Sequence, residues 1–367
     1  MPLYLTSSFT FDKVEDGAAL FNGDAQGNLY SRFSNPNCDE FIDKLNLLEG
    51  TESGVATATG MAAVFVTLAA LLKSGDHIVA SSAIFGNTKH IIESTLPGYG
   101  IDYTFVEVDN NNDWQQAIQP NTKLLFVETP SNPTLKLADL SFLNELCLAN
   151  KIIYVVDNCF ATPYLQQPVK YGADIIIHSA TKYIDGQGRV LGGAILGKDE
   201  YIAKCYDFIR RTGASLSPFN AWVLSKSLET LAIRMDRHCR NADSLQAYLQ
   251  AHSEVENVIY PHATNHPQYE LAKKQMSQGG GLVGCEIKGG KARGARFLNS
   301  LKLHSLTANL GDTRSIVTHP ASTTHAKLTE AEQLAVGITP GFIRFSAGLE
   351  HIDDLINDVE QGLNLSR

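Results

Sequence analysis

The chain has 367 residues, 44% hydrophobic and 19% charged, which is enough for two or three domains with sizeable cores and too ordinary in composition for a disordered or fibrous protein. Lys plus Arg number 30 against 39 Asp plus Glu; the formal charge of −9 and the lack of any basic run disfavour nucleic acid or an anionic membrane as main partner and favour small molecules. Six scattered cysteines without a C-x-x-C pair argue against a disulfide framework or a cysteine-based zinc site, and for reduced thiols in a cytoplasm.

The opening MPLYLTSSFTF lacks a charged and then apolar leader. Ala62 to Leu72, the most apolar helical candidate, is too short to span a bilayer, so neither an export signal nor a membrane anchor is expected. After an irregular start that contains YSRFSNPN (30 to 37), β-branched runs alternate with helix-like stretches. The runs are His77 to Ser82, Tyr103 to Val108, Lys123 to Thr129, Ile152 to Asn158 and Ala173 to Ser179. Near-continuous apolar runs separated by helical segments predict a mainly parallel sheet covered on both faces, a doubly wound α/β domain. From Leu224 a long polar helical stretch reaches Ser253, and strand-like runs follow at Gly281 to Gly290 and Phe342 to Glu350. A boundary near residue 230 and a smaller C-terminal α+β domain are expected, with no internal repeat.

Ligands of open α/β sheets bind beyond the carboxyl ends of the strands. Four runs end or pass through polar groups there: Glu128 to Pro133, Asp157-Asn158, His178 to Lys182, and Arg344. A lysine at one strand mouth, an acid behind another and hydroxyls beside the lysine are what pyridoxal phosphate requires, since its ring nitrogen needs a carboxylate and its aldehyde an amine. Thr59-Gly60-Met61 opens a helical run whose first amides suit the phosphate. Each group also has an ordinary use: a lysine after a strand can be solvated, and Asp157 or Thr59 can cap a turn or helix. Arg344, inside an apolar run, needs an anion, either Glu350 or a substrate carboxylate. Gly279 to Gly284 spells G-x-G-x-x-G but leaves a helix and enters a strand, which predicts a helix stop and turn. His262 and His266, in a Pro- and Asn-containing loop, read as surface histidines; no metal site is expected.

These stretches, SATKY around Lys182, YSRFSNP at 30 to 36, ETPSNPT at 128 to 134, VVDNCFATP at 155 to 163 and RFSAGLE at 344 to 350, resemble the Cys/Met-metabolism family of pyridoxal phosphate enzymes from Leu5 almost to the end. The resemblance implies the type I fold of these transferases, with residues 1–35 contacting a neighbouring subunit, 36–230 holding the cofactor and 231–367 forming the C-terminal domain. It implies that Lys182 forms the Schiff base and moves protons, that Asp157 pairs with the ring nitrogen and that Asn132 meets the ring hydroxyl. Thr59, Gly60, Met61, Ser179 and Thr181 would hold the phosphate, with Tyr30 and Arg32 reaching in from the other subunit of a dimer or dimer-of-dimers tetramer. Arg344 would take the substrate carboxylate. The family carries a further arm ahead of LTSSF, where this chain nearly begins.

Within the family, Lys182 to Gly193 and Asn309 to His325 are most similar to sulfhydrylases that make homocysteine from O-succinylhomoserine and sulfide; Arg189 and Asn309 are candidate specificity residues. The acetyl ester, cystathionine γ-synthase and γ-lyase activities are alternatives within the family; a nucleotide-dependent dehydrogenase is the alternative from another class. The aromatic expected over the cofactor ring, commonly tyrosine, is Phe85. Phenylalanine stacks but donates no proton, which suits a carboxylate leaving group with pKa near about 4 better than a thiolate near about 8.5.

Overall fold

The structure is a computed structural model and describes residues 1–324, 326 and 329–367. Twelve strands form two sheets among the described residues. The first contains β1 (Ser53–Thr57), β2 (His77–Ser81), β3 (Asp102–Val106), β4 (Thr122–Glu128), β5 (Ile153–Asp157), β6 (Ile175–Ser179) and β7 (Gly193–Gly197), in the order β1-β7-β6-β5-β4-β2-β3. The run β6-β5-β4-β2-β3 is parallel, and β7 is antiparallel to both β6 and β1. The mainly parallel α/β architecture expected from the sequence is therefore present, each predicted run overlapping one strand.

Period-two alternation explains the layering. Leu124, Phe126, Val155 and Ile177 face one core with helices Gly60–Leu71 and Asp199–Thr212, while Leu125, Val127, Tyr154 and Val156 face another with Trp114 and helix Leu140–Asn150. Phe41 and Leu45 of helix Pro36–Glu49 cover β7 in a third cluster. β1 and β7 escaped the sequence reading because SGVAT and GAILG offer small residues rather than a β-branched run.

The second sheet contains β8 (Val255–Ile259), β9 (Leu282–Ile287), β10 (Ser305–Leu306), β11 (Ile316–Thr318) and β12 (Phe342–Ser346), in the order β10-β11-β12-β9-β8. Helices Leu231–Ala251 and Ile352–Leu365 share its core. The first of these also grips the chain after β6. The Arg234 guanidinium donates to the carbonyls of Tyr183, Ile184 and Ser227, and Gly186, at φ +71°, leaves the space in which a Cβ would lie 2.1 Å from it. The G-x-G-x-x-G segment follows helix Tyr269–Gln275, turns through Gly280 at φ +88° and enters β9, as expected of a helix stop. No described helix is long and apolar enough to cross a membrane.

Candidate active site

The carboxyl ends of β4, β5 and β6 bring the predicted polar groups together. Glu128 and Asp157 end neighbouring strands in direct register, and Asp157 pairs with Ile177 of β6. Asp157 accepts from the Cys159 amide at 3.0 Å, so its use as a turn cap is real, but burial pushes its carboxyl up to about 6 against the pull of that amide and of His178. Glu128 is raised as well, by burial and then by Asp157, although the Phe85 and Asn132 amides donate to it at 2.7 and 3.2 Å. Two buried acids thus share one edge with no cation salt-bridged to either among the described residues.

Lys182 follows β6 in a tight turn in which its amide donates to Ser179 and its carbonyl accepts from Gly186. It is half-buried rather than solvated, and Nζ donates to Asn309 Oδ1 at 2.7 Å. Burial lowers its pKa, with Cys159 opposing and the Arg344 charge assisting. Arg344 is 3% exposed on β12 and donates to Asn132 Oδ1 at 2.8 Å and to the Asn309 carbonyl at 2.9 Å, while Nε has no partner. Glu350 is not its counter-ion: that carboxylate accepts from the Ser315 amide and hydroxyl at 2.6 and 2.8 Å. Burial without a carboxylate pushes the Arg344 guanidinium down to about 10. Asn132 and Asn309 therefore tie Glu128, Arg344 and Lys182 into one cluster.

Thr59 caps helix Gly60–Leu71, its side chain accepting from the Ala62 amide at 3.0 Å, and the helix's first amides lack intrahelical partners. Gly60 is required here, because a Cβ would lie 2.5 Å from Ser179 Cβ. The helix start and the end of β6 thus meet across a backbone-lined cradle next to Met61. The Thr181 hydroxyl instead engages Gly192. Phe85 stands at the mouth, 41% exposed.

Three predicted residues lie apart. Arg189 is committed to the buried Asp185, at 2.9 and 3.0 Å, and to Ser227. Tyr30 and Arg32 are exposed; the Arg32 guanidinium lies 5.0 Å from the Tyr30 ring centroid, and Nε donates to the Arg210 carbonyl at 2.9 Å. His325, the end of the second specificity stretch, lies outside the described residues. The histidine expectation needs correction: His266 is 8% exposed, its ring accepting from the Gln268 amide, and His262 is half-buried. Glu49 and Gln166, which no sequence motif marks, form a buried network with the strand-end residues Asn158 and His178 behind β5 and β6. The available signal was an acid in the last turn of a helix, where the dipole disfavours negative charge.

An amine, an acid lacking a cation and a glycine cradle at a helix start fit pyridoxal phosphate, whose aldehyde, pyridinium and phosphate call for those three groups. The family model described as Cys/Met metabolism PLP-dependent enzyme matches residues 1–364. An O-succinylhomoserine sulfhydrylase of Pseudomonas aeruginosa is 44% identical over 98% of this chain and 90% of its own length. An L-methionine gamma-lyase of Fusobacterium nucleatum is 42% identical over 99% and 93%. A Campylobacter jejuni structure assigned as an O-acetylhomoserine (thiol)-lyase, which carries a pyridoxyl-lysine-5'-monophosphate residue, superposes with a TM-score of 0.95 at 36% identity, covering 99% of this chain and 95% of that one. This chain belongs to the Cys/Met-metabolism family of pyridoxal phosphate-dependent enzymes.

Proposed function

We propose that the enzyme is a transferase that replaces the γ-succinyloxy group of O-succinyl-L-homoserine by the sulfhydryl of hydrogen sulfide, giving L-homocysteine and succinate; the Cγ–O bond breaks, a Cγ–S bond forms, one sulfide proton is released with the succinate, and there is no net oxidation or reduction. The bound cofactor supplies an electron sink for carbanionic character at the α-carbon. Lys182 is the residue that holds the cofactor and moves protons at the α- and β-carbons; its burial next to Arg344 favours the neutral amine that a base must be. Arg344, already desolvated and short of a carboxylate, would bind that of the substrate, and Asp157 would pair with the ring nitrogen. Asn132 would bond the ring hydroxyl, and Thr59, Gly60, Met61 and Ser179 would receive the phosphate.

The observation that carries the choice of an ester is Phe85, a ring without a hydroxyl at the mouth of the site. A second reading, γ-elimination from a thioether, is favoured by gamma-lyase relatives of nearly equal identity. Offering succinyl- and acetyl-homoserine, each with sulfide or cysteine, and methionine alone decides between them. Homocysteine from the succinyl ester with sulfide as the fastest reaction is expected; faster release of methanethiol from methionine overturns the proposal.

Tyr30 and Arg32, both exposed and the latter bonded to the Arg210 carbonyl, are proposed to complete the phosphate site of a second copy in a dimer or tetramer. Mixing inactive Arg32→Ala chains with inactive Lys182→Ala chains should then restore activity, because a mixed dimer contains one intact site. No recovery despite demonstrated subunit exchange assigns both residues to their own chain.

A further inference from the structure

Behind the strand ends lies a group of polar side chains that the proposed chemistry leaves unused. Glu49 and His178 are both fully buried, with Glu49 Oε1 and His178 Nε2 2.7 Å apart. Asn158, the residue after Asp157, donates through Nδ2 to Glu49 Oε1 and to the Gln166 carbonyl, both at 2.8 Å. Gln166 returns Nε2 to Asn158 Oδ1 at 3.0 Å and to the Thr129 carbonyl at 2.9 Å. The group therefore ties together the segments that follow β4 and β5, strand β6 through His178, and the last residue of helix Pro36–Glu49.

Stability alone accounts poorly for it. Glu49 sits at the helix end where the dipole disfavours an anion, and both Glu49 Oε2 and His178 Nδ1 lack partners. A buried acid-base pair of this kind commonly contributes no more than apolar residues of the same volume. Its placement is more informative. Asp157 is in register with Ile177, so side-chain alternation puts His178 and Asn158 on the opposite face of the strands from Asp157, directly behind it. Burial raises the Asp157 carboxyl, and two groups work against it: the Cys159 amide, which donates to it at 3.0 Å, and His178 from the rear.

We propose that His178, paired with Glu49, is a positioning residue that keeps Asp157 ionised and in place toward the ring nitrogen of the cofactor. This rests on the assignment of Asp157 to that nitrogen. Glu49 holds the His178 ring in place through its contact with Nε2, the ring works against the effect of burial on the Asp157 carboxyl, and Asn158 fixes the end of β5 from which Asp157 projects.

The test is a cycle of variants, with cofactor-free protein titrated with pyridoxal phosphate and followed by the absorption of the bound chromophore across pH. Glu49→Gln and His178→Gln are each expected to weaken cofactor binding about tenfold, the equivalent of one pKa unit at Asp157, and to move the pH at which the chromophore's band changes. Because both act through Asp157, His178→Gln should add less than twofold once Asp157→Asn is present, an energetic coupling that a packing role does not produce. Equal weakening with and without Asp157→Asn, an unchanged band and affinity, or loss of folding in both single variants overturns the proposal and makes the pair structural. Failure of the wild-type protein to bind pyridoxal phosphate overturns instead the assignment on which it rests.

Discussion

Asp157 and Asp358 are both buried aspartates, 9% and 6% exposed, in opposite surroundings. Asp358, in the helix that closes the chain, accepts from the amides of Lys302, Leu303 and His304 at 2.8, 3.1 and 3.0 Å and from the His304 ring at 2.8 Å. Burial works to raise its pKa, but these donors overcome it and hold the carboxyl well below the usual range. Asp157 has one amide, an acid as neighbour and a pKa pushed up. The arginines repeat the contrast: Arg293 reaches Glu254 at 2.6 Å, whereas Arg344 finds only amide and carbonyl oxygens. The structural region completes its own charges; the strand-end region leaves acid and guanidinium incomplete, to be matched by a ligand of opposite sign.

The sharpest way to break this comparison is to remove the amine at its centre. Lys182→Ala should abolish turnover while the melting temperature of the cofactor-free protein stays near the wild type, because the side chain's one bond is to Asn309. Retained steady-state activity would sink the assignment. Arg344→Gln comes next in size. It keeps a donor toward Asn132 but removes the charge, and kcat/KM for the amino-acid substrate should fall about 10²-fold or more, carried mainly by KM. A loss confined to kcat would place Arg344 elsewhere in the reaction.

The two aspartates sharpen it further through stability. At neutral pH, Asp358→Asn should destabilise by about 3 kcal/mol, since it leaves buried amides and His304 short of their anion. With its folded pKa depressed, Asp358 contributes stability that is present above about pH 4 and is lost as pH falls further, so the variant and the wild type should converge in acid. Asp157 has the opposite sign: its folded pKa of about 6 lies above the unfolded value, so its charge costs stability above pH 6 and the cost fades as pH falls toward 4. Asp157→Asn should therefore stabilise the cofactor-free protein at pH 7.5, by about 1 kcal/mol, while lowering activity. Calorimetry of Asp157→Asn at pH 7.5 and 4.5, and of Asp358→Asn at pH 4.5 and 3, checks the two signs; destabilisation by Asp157→Asn would end the claim that this edge is incomplete.

The groups legible in the sequence are those whose type announces a charge at a strand end: Lys182, Asp157, and Arg344 inside an apolar run. What stayed hidden is relational. Asp185 lies only four residues before Arg189, but the pair forms across a turn through Gly186 and Gly188 rather than on a helix, and Glu350 is as plausible a partner for Arg344 as any acid until Ser315 is seen to hold it. The Glu49 and His178 pairing spans 129 positions, so only the fold joins an ill-placed helical acid to a polar residue in an apolar strand. Strands followed the same rule: β-branched density exposed β2 to β6, whereas β7, built as GAILG, is held by its neighbours on both sides rather than by its own propensity.

The smallest expected effect concerns an exposed residue at the mouth of the site. Phe85 donates its amide to Glu128 but leaves its ring 41% exposed, so a hydroxyl at its tip can be accommodated without disturbing the buried charges behind it. If the missing phenol is why a carboxylate ester is the preferred substrate, Phe85→Tyr places a proton donor where a thiolate departs. Positioned general acids contribute about 10²-fold or more, and an unoptimised one should still raise the ratio of methionine elimination to O-succinylhomoserine replacement by about tenfold. The succinate carboxylate, with a pKa near about 4, needs no such help, so its kcat/KM should change little. Stacking alone predicts a different pattern, both reactions shifting together as the cofactor is held better or worse. Measuring kcat/KM for each substrate in wild type and variant separates the two: an unchanged ratio with normal cofactor absorption removes the leaving-group argument and leaves the choice of ester resting on the relatives.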